Sequence, residues 1–443
     1  MMNYEEIIKL GLELGLSEIE LYIQTNEKNS IELFDQKLSK YNVSDTFGIS
    51  IRGKYNDKMA YAYTESLEEE SIKTLLNQLI ANASSITATE SEYITSSGLV
   101  YPQVEENVSD YKDVTLNEKI EKLVKICNDA LAVDQRIVKI GECSYNEISI
   151  KTQIINSKGL NLERSSSYIV TFLGAVASDG NETKVNYGID FSINFKDINC
   201  EHLVKEATEE ALASLGAGSL ETGSYEVIFN HNAASSLLQA FTPIFAGESA
   251  IRKLTPLVDK IDTKIMGNNI TIIDDPFNAK GLIKYPFDDE GTPCYTKNIV
   301  ENGVFKGFLH NLKTAHALNT SSTGNGFKSS ISSSVSTNPS NLYLVPGDKS
   351  LDDMIASVQD GVLITDVSGL HAGVNAISGD FNLLASGFVI KDGKKNRPVT
   401  LLVVSGNFYD MMNDVSEIGN DLDKIDSVAS PSIKVNKITI SCK

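Results

Sequence analysis

Polar residues capable of chemistry gather in three places along the chain. The densest is Ser368 to Asp380, where His371, Asn375, Ser378 and Asp380 share a turn region with Gly369, Gly373 and Gly379. Glycine lets backbone come close to a ligand or to another backbone, and loops carried on a rigid sheet are where functional groups tend to sit. His371 and Asp380 in one glycine-rich loop could contact a ligand, while the same residue types also build turns by bonding their own backbone. The second place is the acidic turn Pro286 to Gly291, PFDDEG, with Asp288, Asp289 and Glu290. It reads as solvated turn acids or as the lining of a groove. The third is His231, just before a helix, a capping or interface residue unless it meets a ligand. His310 and His316 fall at hairpin and helix positions and are expected to be structural.

Other catalytic signatures are missing. The chain has no GxSxG elbow, no Walker A loop and no GxGxxG; Gly216, Gly218 and Glu221 miss the dinucleotide pattern at its last glycine. Gly347, Lys349 and Ser350 imitate the end of a P-loop without its glycine-rich run. A Ser/His/Asp arrangement stays open, since serines are many and geometry is not visible in a sequence.

The 443 residues are too many for one ordinary core and point to two or three domains. A formal charge of −20 repels phosphate backbones and anionic lipid heads, which argues against direct nucleic-acid or membrane binding. It fits a solvated, solubilising surface, or an acidic cleft for basic peptides. Cys127, Cys143, Cys200, Cys294 and Cys442 include no CxxC pair, so neither a disulfide framework nor a thiolate zinc site is expected. MMNYEEIIKL lacks the basic flank and apolar core of a signal peptide, and no apolar run approaches the ~20 residues of a membrane span, so the expected location is cytoplasmic.

The elements that must position these groups fall into two halves. Tyr4, Ile7, Ile8 and Leu12 form a helical stripe, followed by strands at Ile19–Ile23 and Ile31–Phe34 and a hairpin over Phe47–Thr64. Two capping boxes, Ser66 with Glu69 and Thr115 with Glu118, head helices whose stripes include Ile72, Leu76 and Leu79, and Leu123 and Cys127. Between them, Glu90 to Asp113 reads as a connector. A β-meander spans about 137–195, a helix through Leu203 and Leu212 follows, and Gly216, Gly218 and Gly223 mark a boundary. Beyond it come a strand at Tyr225–Asn230, a helix from Ala233, a serine-rich stretch at Thr320–Ser340 that reads as a flexible loop or a flap, a helix at Met411–Leu422 and a closing strand at Ile433–Ile440. Apolar runs at Val362–Ile364, Phe388–Ile390 and Leu401–Val404 are short antiparallel strands. The fold class is α+β. Residues 1–218 are expected to pack helices on a mixed sheet, and residues 219–443 to be mostly antiparallel β.

The order of residues from Gly361 to Asn407, with the Ser368–Asp380 loop, Gly387, Phe388, Ile390, Gly393, Pro398 and the SGN at Ser405–Asn407, resembles the C-terminal part of the TldD/PmbA family. Its members are cytosolic metallopeptidase-related proteins, historically called modulators of DNA gyrase. The likeness is strong from Phe287 to Asp421 and extends to the hairpin at Gly48–Thr64.

The zinc-bearing branch of that family carries an HExxxH helix and a late cysteine. Two histidines on adjacent turns hold the ion and the glutamate acts as base. Where the resemblance puts that helix, this chain reads SSLLQAFTPIF, and its only adjacent Glu and His are Glu201 and His202, in the wrong order. The tail, SPSIKVNKITISCK, resembles the PmbA (TldE) branch, so no ligand role is carried onto Cys442. The resemblance therefore implies a non-zinc subunit of a cytosolic zinc peptidase acting on unfolded or small modified peptides, with no catalytic or metal residue of its own. Zinc is expected in a partner, a TldD-like paralogue, with self-association as a homodimer the other pairing. Peptide-groove candidates are His231, Asp289, Glu290, His371, Asn375 and Asp380. An autonomous hydrolase with an unrecognised site and a non-enzymatic interaction module remain the alternatives.

Overall fold

The computed structural model describes residues 1–87 and 92–442. The N-terminal half is one six-stranded sheet in the order β3-β2-β1-β4-β5-β6, built from β1 (Glu18–Phe34), β2 (Lys37–Tyr55), β3 (Lys58–Thr64), β4 (Ile137–Asn156), β5 (Asn161–Ser178) and β6 (Thr183–Ser192). Every pair is antiparallel, which corrects the expected mixed sheet: consecutive strands are joined by tight turns or return across helices in opposite sense. The two strands read at Ile19–Ile23 and Ile31–Phe34 are one, because the polar residues between them pair with β2 and β4 on either side.

Four helices cover one face. α1 (Tyr4–Glu13) and α2 (Glu69–Ser85) press Ile7, Ile72, Leu76 and Leu79 onto Ile19, Leu21, Ile49 and Ile51. α3 (Leu116–Val133) and α4 (Cys200–Ala213) press Leu123, Ile126, Cys127 and Leu203 onto Ile31, Leu33 and Ile169. The Thr115–Glu118 capping box forms in both directions. The Ser66–Glu69 box does not: Glu68 occupies the cap position with no side-chain bond, and the Ser66 hydroxyl accepts the Glu68 N–H instead. Of the connector at Glu90–Asp113, Glu90 and Ser91 lie outside the described residues; the remainder is irregular until a 3₁₀ turn at Tyr111–Asp113.

Strands alternate faces, so burying Ile19, Leu21 and Ile51 under helices turns Glu20, Tyr22 and Arg52 to the other side. That side meets the C-terminal half, whose strands are β7 (Gly223–Phe229), β8 (Ile272–Asp274), β9 (Lys297–Glu301), β10 (Val304–Phe305), β11 (Gly326–Lys328), β12 (Val335–Thr337), β13 (Leu342–Leu344), β14 (Asp360–Ser368), β15 (Asp380–Lys391), β16 (Lys394–Asn407), β17 (Val415–Ile418), β18 (Val428–Ala429) and β19 (Ile433–Cys442). Its main sheet runs β16-β15-β14-β7-β19-β17, and β16 also pairs with β19, which closes the strands on themselves. Within this sheet pairing is antiparallel except β7 with β14, the parallel contact that a crossover through the intervening chain requires; in the smaller sheet β13 also pairs with β18 in parallel. α5 (His231–Phe241) buries Ala233, Leu237, Leu238 and Phe241 in the large core with Phe229, Ile364, Phe381 and Phe408.

Two expectations change here. Thr320–Ser340 is not a featureless loop but carries the β11–β12 hairpin, with Asn325 fully buried. Met411–Leu422 divides into a helix, Phe408–Asn413, and β17, because Asn407 caps the helix early through the N–H groups of Tyr409 and Asp410.

Candidate functional site at the junction of the two halves

The acidic turn is not solvated. Asp288, Asp289 and Glu290 are all buried, which corrects the reading of solvated turn acids. Burial of charge is tolerated only with partners, and the partners come from the open face of the N-terminal sheet. Arg52 on β2 donates from Nε to Glu20 Oε1 at 2.6 Å and from Nη1 to Glu290 Oε1 at 3.0 Å. Arg164 on β5 donates from Nη2 to Asp289 Oδ1 at 2.5 Å and from Nη1 to the Phe287 carbonyl at 2.6 Å. Its guanidinium lies over the rings of Tyr285 and Phe287, 5.1 and 5.3 Å from their centroids. Tyr22, Ile154, Leu160 and Phe287 seal the same contact with an apolar cluster.

Backbone groups complete the turn. Asp288 accepts from the N–H groups of Glu290, Thr292 and Gly326, and Glu290 Oε2 accepts from Leu312 N–H at 2.7 Å. A side chain at Gly326 would put its Cβ 2.6 Å from Glu290 Oε2, so only glycine lets the hairpin approach this closely. Burial, reinforced by Glu290, pushes the Asp288 carboxyl well above the ordinary range. Burial also raises Glu290, with Arg52 pulling the other way. Lys328, on the hairpin, donates from Nζ to Ser50 Oγ at 3.2 Å, and burial pushes its ammonium down to about 8.

The Ser368–Asp380 loop is of a different kind. His371 is exposed on a short helix, Leu370–Gly373. Asn375 Oδ1 accepts from the N–H groups of Ile377 and Ser378, and the Asp380 carboxylate accepts from Ser378 Oγ at 2.8 Å and Asn407 Nδ2 at 3.0 Å. Those bonds, Asn407 foremost, hold Asp380 below its ordinary range. Asn375, Ser378 and Asp380 are brought together with Asn407; the structure gives no bond from them to His371. His231 is the first residue of α5, not its cap: Asn230 accepts the Ala233 N–H, and His231 Nδ1 stands 3.8 Å from Asp421 Oδ2. His310 bonds Thr314 Oγ1 and burial lowers its imidazole below the usual range, and His316 bonds the Tyr93 hydroxyl, both structural contacts.

Sequence reading missed Arg52, Arg164, Glu20 and Lys328. The available signal was a charge set among apolar strand residues, Arg52 beside Ile51 and Glu20 between Ile19 and Leu21. As for metal, the helix that would carry zinc in the family buries Ala233, Ala234, Leu237 and Leu238. Among the described residues no three His, Cys, Asp or Glu side chains stand together so as to hold an ion.

Comparison with known proteins places the fold. Three successive segments match the PmbA/TldA metallopeptidase domain 1 at residues 19–83, central domain at 109–215 and C-terminal domain at 222–442. A solved structure described as a modulator of DNA gyrase, from Thermotoga maritima MSB8, superposes with a TM-score of 0.89 at 30% identity over 99% of both chains. The chain belongs to the PmbA/TldD family. A metalloprotease PmbA homolog from Buchnera aphidicola subsp. Baizongia pistaciae is 28% identical over 74% of this chain and 71% of its own. A TldE structure from Thermococcus kodakarensis shares the fold with a TM-score of 0.88 at 23% identity, each chain 99% covered. The matched domain models of this PmbA/TldD protein are described as metallopeptidase domains, and the Buchnera relative as a metalloprotease. Among the described residues no helix is long and apolar enough to cross a membrane.

Proposed function

We propose that this chain is the PmbA/TldE-like, non-zinc subunit of a cytoplasmic zinc metallopeptidase acting on unfolded or small modified peptides. The observation that carries the reading is α5, whose inward positions hold Ala233, Ala234, Leu237 and Leu238 where a zinc helix needs imidazoles; aliphatic side chains offer no lone pair to a metal. In this reading a TldD-like paralogue supplies zinc, base and hydrolysis, and this chain shapes the cavity and admits peptide as an extended strand. His231, His371, Asn375 and Asp380 keep solvent-accessible atoms for peptide contact, whereas Asp289 and Glu290 are committed to Arg164 and Arg52 and hold the cavity wall in place.

The test is to express the chain alone and beside its zinc-bearing paralogue, measuring metal content and cleavage of an unstructured peptide. The expected result is cleavage only by the pair, with zinc accompanying the partner. One zinc per molecule of the isolated chain, with chelator-sensitive cleavage, would instead establish an autonomous hydrolase.

A further inference from the structure

Between β1, β2 and the hairpin lies a small, partly open cavity of about 10 Å³, room for a single particle about the size of a water. Its walls include Glu20, Tyr22, Ser50, Arg52, Asp289 and Lys328. The carboxylate oxygens on this wall are already taken. Glu20 accepts from Arg52 Nε and from Asn156 Nδ2, and Asp289 accepts from Arg164 Nη2 and from the Lys328 N–H. Tyr22 Oη accepts from Gln24. The donors are in surplus. Arg52 is 5% exposed, and its Nη2 is buried with no hydrogen-bond partner. Lys328 Nζ spends two protons on Ser50 Oγ and the Ser333 carbonyl, and is in no ion pair among the described residues. Ser50 Oγ accepts from Lys328 Nζ, a bond that does not use the hydroxyl's own proton.

We infer that this cavity binds a chloride-sized monovalent anion, held by Arg52 Nη2, Lys328 Nζ and the Ser50 hydroxyl. Leaving a buried donor unpaired is costly, and more so when it is charged. A spherical anion satisfies several donors and brings no protons that need acceptors, whereas water brings two. A volume of about 10 Å³ suits a monatomic ion better than a polyatomic carboxylate. Local charge is compatible: Arg52, Arg164 and Lys328 stand against Glu20, Asp289 and Glu290, and the fourth acid of the joint, Asp288, is capped by three backbone N–H groups and pushed toward its neutral form by burial. Because the donors come from β2 and from the hairpin, the ion would fasten one half of the molecule to the other. The inference stands apart from the peptidase reading, since a subunit without activity would bind the ion equally well.

Crystals of the full chain soaked in bromide test this directly, beside thermal unfolding in sodium chloride and in sodium glutamate at equal ionic strength. The expected result is an anomalous peak in the cavity and a transition midpoint several degrees higher in chloride, with both effects diminished in Lys328→Met. A water refined in the cavity without anomalous signal, or midpoints that follow ionic strength alone, overturns the inference. Should Lys328→Met fail to fold, the soaked wild-type crystal decides by itself.

Discussion

The turn Asp288–Gly291 and the loop Ser368–Asp380 look alike in sequence, each a polar, glycine-containing connection with carboxylates. In the structure they are opposites. The first is buried and takes its partners from far away: Arg52 lies 238 residues from Glu290 and Arg164 lies 125 from Asp289. The second is exposed and satisfies itself within Asn375, Ser378, Asp380 and Asn407. An acidic turn becomes a structural joint when a distant strand aims a guanidinium at it, and remains a surface loop when its own amides and hydroxyls suffice. The two should therefore respond very differently to mutation.

The largest effect is expected at Arg52. Replacing it with alanine leaves Glu20 and Glu290 buried without their cation, and breaking a buried pair from one side costs about 3–5 kcal/mol. Urea denaturation should show the midpoint falling accordingly; a loss under about 1 kcal/mol would mean that the pairs behave as solvated ones. Next comes the Arg164–Asp289 pair. Arg164→Met and Asp289→Leu should each be strongly destabilising, while the double variant should lose less than the sum, with a coupling of about 1–3 kcal/mol. Additive losses would show that the two side chains act independently, against the 2.5 Å contact between them.

How far these regions were legible follows from where their determinants sit. Local determinants were readable: the Thr115–Glu118 box forms both bonds, the turn at Asn56 and Asp57 takes the positive φ values of 48° and 60° that a tight hairpin needs, and the stripe of Ile72, Leu76 and Leu79 is buried. Asn375 as a turn builder was readable too, since its partners Ile377 and Ser378 are two and three residues away; Asp380 was readable only in its bond to Ser378, its other partner, Asn407, lying 27 residues on. The Thr320–Ser340 stretch was not. Its polar residues promise solvent, yet Asn325 is buried because Asp274, Lys297 and the Asn338 carbonyl complete its bonds. A polar side chain's exposure depends on partners that a sequence window does not contain. The acid turn failed for the same reason.

Lys328 sharpens the comparison through pH. Its ammonium is driven below its unfolded value by burial, to about 8, so between about pH 8 and 10.5 the unfolded chain binds more protons than the folded one. Stability should rise with pH across that window as the proton is lost, by about 3 kcal/mol. Tyrosines titrate nearby, so the readout is the difference between wild type and Lys328→Met in low-chloride buffer. The variant should be the more stable below pH 8 and lose that advantage as pH rises. A constant difference across the window would place the Lys328 ammonium in solvent.

The smallest effect belongs to the exposed loop. Asp380→Ala removes a carboxylate that bonds Ser378 and Asn407 in contact with water, so solvent replaces what is lost and the stability change should stay under about 1 kcal/mol. The same substitution changes charge and shape at a position open to ligand, beside Asn375. If the loop contacts peptide, cleavage by the paired subunits should fall several-fold through a raised KM with kcat little altered, because the residue touches neither base nor metal. Asn407→Ala supplies the contrast: it disturbs the same turn from beneath while leaving the carboxylate in place. Loss of cleavage in both variants to the same extent, tracking loop stability, would reduce Ser368–Asp380 to a turn; a loss confined to Asp380→Ala would make it a binding surface, where Arg52 and Arg164 hold a joint.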